Sequence, residues 1–123
     1  MCSSDLSRAS LAALLAAFLV FGCTVPPEEP ILDRFFVYSR LRDKTALAAI
    51  STVIFEPTTE GIVTTFHVAG VLVAARGPDG DAAAKDVTIT APVKLPDGQV
   101  VNKTLVVRME RRETGWKITG IRN

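Results

Sequence analysis

The hydrophobic pattern divides the chain into three parts. Residues 11–21 read Leu-Ala-Ala-Leu-Leu-Ala-Ala-Phe-Leu-Val-Phe, with none of the polar stripe that marks an amphipathic helix. The run has the length of a signal h-region and falls short of the about 20 apolar residues that a bilayer-spanning helix needs. Extending it backward brings in Arg8. Extending it forward meets Pro26-Pro27-Glu28-Glu29-Pro30, which cannot continue a helix and reads as a stiff, extended tether. From Ile31 the apolar residues become periodic. Ile31, Leu32, Phe35 and Phe36, widened by Tyr38 and Leu41, predict an amphipathic helix. It starts near Glu28–Pro30, where acidic residues and an early proline suit a helix N-terminus. Arg34, Arg40 and Arg42 fall on its solvent side or along its edge. Asp43 or Thr45 caps a second short helix over Ala46–Ile50, and one continuous helix to Ile50 is the alternative.

After Ile50 the pattern changes to β-branched residues punctuated by turn signals. Thr52–Glu56 reads as a short strand closed by Pro57, followed by a turn at Thr58–Gly61. Ile62–Arg76 reads as one long strand, with Gly70 a bulge or bend. Gly77-Pro78-Asp79-Gly80-Asp81 is a turn. Asp86–Val93 alternates, with Val87, Ile89, Ala91 and Val93 on one face and Asp86, Thr88 and Thr90 on the other. Turns at Pro96-Asp97-Gly98 and Glu113-Thr114-Gly115 delimit strands Val100–Arg111 and Trp116–Arg122. Short loops between strands favour antiparallel neighbours. One sheet face then needs a cover, and the Phe35/Phe36 helix supplies it. The expectation is an α+β fold, with an N-terminal helix or two packed on a curved antiparallel sheet of about five strands. The expected core is Ile31, Leu32, Phe35, Phe36, Leu47, Ile54, Phe66, Val68, Ile89, Leu105, Val107, Trp116 and Ile118.

Composition adds mainly exclusions. The 123 residues carry a formal net charge of +1, with both signs interspersed after Pro30 and neither a basic stripe for nucleic acid nor an acidic tail. Arg108, Arg111, Arg112 and Lys117 form the only basic run, interrupted by Glu110 and Glu113, and read as a solvated strand face. The two cysteines are Cys2 and Cys23. A structural disulfide needs two partners in the mature chain, and cleavage ahead of Cys23 would leave one.

Val20-Phe21-Gly22-Cys23 resembles a bacterial lipobox. That resemblance implies attachment of a diacylglyceryl group to the Cys23 sulfur and cleavage just before it, with Val20 and Gly22 as recognition positions. It also implies a membrane partner held through the lipid. Thr24, where an Asp would signal inner-membrane retention in some bacteria, points to the outer membrane. Ordinary cleavage near Gly22 with secretion, and an uncleaved signal anchor, remain open. The chain then divides into a signal peptide (1–22), a Pro-rich tether (23–29) and a single α+β domain (30–123). Two or three acyl chains, each methylene contributing about 0.8 kcal/mol, hold a protein stably at a membrane where one chain is marginal.

The order of elements in the domain, closing on Gly115-Trp116-Lys117-Ile118, resembles the cystatin-like and NTF2-like families. Those folds imply helices lying in the concave face of a sheet and a cleft between the two, which Tyr38, Phe35 and Trp116 would line for a small ligand or lipid.

No catalytic constellation is legible. His67 is the only histidine. It alternates with Phe66 and Val68, so it is predicted on the wetter face, without the partners that a zinc site or a nucleophilic triad requires. The carboxylates Asp33, Asp43, Glu56 and Glu110 are not spaced as an acid–base pair. Gly77–Asp81 lacks the length and distal glutamate of a calcium loop. Asn102-Lys103-Thr104 matches a glycosylation sequon, which has no force in a bacterial host. The expectation is a non-enzymatic envelope protein without cofactor, acting through an envelope protein partner, with a small-ligand module as the alternative.

Overall fold

The structure is a computed structural model, and it describes Pro26–Asn123. The predicted signal peptide and Cys23 lie outside the described residues. Helix α1 spans Glu29–Leu41, with Pro30 in its first turn. It stops at Arg42, which adopts a left-handed conformation (φ 56°) and donates its backbone N–H to Ser39 O at 3.1 Å. The segment from Glu29 to Ile50 therefore forms two helices rather than one. Asp43 caps α2 (Lys44–Ile50) by accepting a hydrogen bond from Ala46 N at 3.1 Å, which satisfies one of the unpaired donors of the first turn.

Five strands follow: β1 (Ile62–Val63), β2 (His67–Arg76), β3 (Ala82–Lys94), β4 (Val100–Arg112) and β5 (Gly115–Arg122). They make one antiparallel sheet in the order β1-β3-β4-β5, with β2 also paired to β3. The sheet curls into a half-barrel around the helices. Two strand expectations need correction. Ile62–Arg76 is not continuous: it breaks at residues 64–66, so β1 pairs with Val93 and Lys94 and β2 with the stretch from Ala82 to Thr90. Thr52–Glu56 is not a strand. Side-chain hydroxyls take the backbone donors that a sheet neighbour would use: Val53 N donates to Ser51 Oγ at 2.9 Å and Phe55 N to Ser39 Oγ at 3.1 Å. Gly61, just ahead of β1, is required twice over. Its φ is +109°, and a Cβ there would lie 2.6 Å from the carbonyl oxygen of Lys94.

The core lies between α1 and the inner face of the sheet. Leu32 and Phe35 are fully buried against Val87, Ile89, Leu105, Val107 and Ile118. In register, Val87 stands opposite Val107 and Ile89 opposite Leu105. Phe36 sits edge-on to Phe35 at 5.2 Å between centroids and to Phe55 at 5.5 Å, a favourable aromatic geometry. Of the expected core, Ile31, Ile54, Phe66, Val68 and Trp116 pack against it only partly buried. Phe55, Val63, Val87, Ala91, Val93 and Met109 are buried as well. Phe55 replaces Ile54 because the segment is an inward-turned loop, so strand alternation does not apply to it.

The folded unit reaches back to Glu28, at the end of the predicted tether. Its side chain is only 6% exposed and accepts a hydrogen bond from Lys85 Nζ at 2.8 Å. The same ammonium lies 4.5 Å from the centre of the Trp116 ring, within cation–π range. This clasp of Glu28, Lys85 and Trp116 ties the start of α1 to β3 and β5. No described helix is long and apolar enough to cross a membrane.

Candidate functional site

The two edges of the sheet differ. On the β5 side, Ser51 makes a parallel bridge to Ile118. Thr52 N donates to the Ile118 carbonyl at 2.9 Å, and Lys117 Nζ reaches Ala48 O at 3.2 Å. That edge is covered by the chain and carries charge. On the other side, β2 pairs with β3 along one edge only. Its middle is apolar and exposed on both faces. Val71 and Val73 share the face of Val87 and Lys85, and Leu72 shares the face of Asp86. Their exposures are 43%, 38% and 69%, so α1 covers neither side of the strand. An uncovered edge presents unpaired N–H and C=O groups to solvent and is a template for an added strand. Among the described residues, no strand pairs with this edge.

The residues singled out in the sequence are dispersed. Phe35 is fully buried, and Tyr38 and Trp116 pack half-buried against the core. Lys85 Nζ lies over the Trp116 ring. An open groove of about 470 Å³ between the 53–60 loop and the sheet is lined by Phe55, Leu105 and Ile121, but by none of Phe35, Tyr38 and Trp116. His67 is exposed, while Phe66 and Val68 are half-buried, which is the predicted alternation. It borders an open groove of about 490 Å³ with Phe66, Thr90 and Asn102. Glu56 pairs with Arg42 at 2.7 Å and Glu110 with Arg112 at 3.1 Å, while Asp43 caps α2. Asp33 does have an acidic neighbour that the sequence reading passed over. Glu29, one helical turn earlier, lines the same shallow groove with it beside Thr64, Thr65 and Phe66. Their i, i+4 spacing was the available signal. No group of three His, Cys, Asp or Glu that could hold a metal occurs among the described residues.

On the outer face, Asp86 takes two hydrogen bonds from Arg108, at 2.6 and 3.2 Å, linking β3 to β4. The Arg108 hydrogen bond is the main cause holding the Asp86 carboxyl below its ordinary range. Partial burial opposes this, and the charges of Arg108 and Arg122 add to it. A carboxylate with a lowered folded-state pKa stabilises the fold above its unfolded value, near pH 4, and loses that contribution as pH falls through the lowered one. Asp86→Asn should therefore be less stable than the parent chain at pH 7. The gap in denaturation midpoint should close as the pH falls through that lowered value.

No family model, curated protein or solved structure matches this chain.

Proposed function

We propose that this is an exported, lipid-anchored protein of the bacterial cell envelope, held at the membrane through Cys23, that acts without catalysis as a protein-interaction module. The observation that carries the interaction reading is the apolar, unpaired edge of β2. The anchoring reading rests on the apolar run 11–21 ending at Val20-Phe21-Gly22-Cys23. Four residues separate Cys23 from Glu28, and Glu28 is clasped by Lys85, so the anchor would hold the domain close to the membrane with little slack.

Intact mass of the membrane-extracted protein tests the anchor. The expected species begins at residue 23 and carries a lipid adduct, and Cys23→Ala abolishes the adduct. An unmodified chain beginning at Met1 rejects it. The interaction role is tested separately, by a photo-crosslinking residue at Leu72 in the full chain in cells. Leu72 should give discrete adducts. Leu41, 66% exposed but on α1, should give none.

A further inference from the structure

We infer that the partner of the β2 edge is a second copy of this chain, paired antiparallel about a two-fold axis at Leu72. This rests on the interaction reading above and narrows it to one occupant. Residues 68–75 contain no proline and no charged side chain, two of the devices by which edge strands avoid pairing, and the strand's bulges, a third, lie outside Gly70–Val73. A charged partner strand would leave its charges without counterparts, so the complement is a neutral, apolar strand, and β2 meets that description itself.

The geometry sets the register. Register shifts at Val68/Gly70 and Val73/Ala75 leave Gly70–Val73 as the regular stretch. Directly opposed residues in an antiparallel pair share a face. Centring the pair on Leu72 puts Leu72 against its own copy on the Asp86 face and Val71 against Val73 on the inner face. Arg76 then falls beside Val68, so no like charges meet.

A two-fold axis through the pair and perpendicular to the sheet keeps each face on its own side. The Glu28–Lys85 clasps of both copies lie on the inner face. Lys85 stands opposite Val73, one residue from the axis. Both tethers would leave the joined sheet on one side and near its centre, as two chains anchored in one membrane require. A single strand pair sits at the small end of interface sizes, below about 1,200 Å². Association should be weak in solution and favoured by shared confinement at a membrane, which raises the effective concentration.

Crosslinking at Leu72 in the full chain should yield an adduct of twice the chain's mass containing this chain alone. The detergent-extracted full chain should show a concentration-dependent dimer by sedimentation equilibrium. Leu72→Lys should weaken that dimer at least tenfold without lowering the melting temperature, since the side chain is already exposed. An adduct with a different protein overturns self-pairing while the interaction reading stands. No adduct at Leu72 overturns both. A Leu72→Lys chain that folds and dimerises undiminished overturns the β2 interface.

Discussion

Phe35→Ala should lower the unfolding free energy by about 3–5 kcal/mol, the usual cost of emptying a fully buried aromatic site. Phe35 has no exposed surface. It lies where α1 meets the inner faces of β3 and β4, and it stacks edge-on with Phe36. Its removal leaves a cavity that the sheet cannot close, because Ile89, Leu105 and Val107 are held by cross-strand pairing. For a domain of roughly 100 residues, each kcal/mol shifts the melting temperature by about 4–8 °C, so the midpoint should fall by at least about 12 °C. Arg34→Ala, on the exposed side of the same helix, should stay within about 0.5 kcal/mol. Equal, small losses for the two variants in thermal denaturation would mean that α1 is not seated on the sheet as described.

Lys85→Met should cost about 2–3 kcal/mol. Removing one member of a buried ion pair strands the other charge, and this is more destabilising than replacing both. Glu28 is nearly inaccessible, whereas Lys85 keeps 19% of its side-chain surface, which places the cost below that of a fully buried pair. The Lys85→Met, Glu28→Gln double variant should recover part of the loss, because no unpaired charge remains. Strict additivity in urea denaturation would show that the two groups do not act together. Amide exchange over the first turn of α1 should rise in Lys85→Met and return toward the parent rate in the double variant. The same pair fixes the residue ahead of α1 to the sheet, so its loss should free the start of the helix.

The α+β class, two helices and antiparallel strands were legible because each rests on local rules. The 3.6-residue spacing of Ile31, Leu32, Phe35 and Phe36 and the alternation from Val87 to Val93 reflect side-chain direction along a single element. Gly80, Gly98 and Gly115, at or beside the predicted turns, all take positive φ. Missed features depended on partners distant in the chain. Thr52–Glu56 has strand composition, but Ser39 and Ser51 hydroxyls satisfy its backbone. Lys85 reads as an ordinary polar residue at the start of a strand until Glu28, 57 positions away, is folded against it.

The sequence by itself determined the apolar run before Cys23, the helical face that covers a sheet, and the positions of the hairpin turns. All three follow from hydropathy and backbone preference over a few residues. Only the tertiary structure decided which strands became edges. Val71, Leu72 and Val73 have the composition of a core strand, yet they are exposed because β3 takes one side of β2 and none of the described residues takes the other. Ile118, of similar character, is buried because its side chain faces the core under the helices, while Ser51 and Thr52 close the backbone edge beside it. Burial of a strand is set by its neighbours across the sheet and by what covers its faces, and neither is written in the strand's own residues.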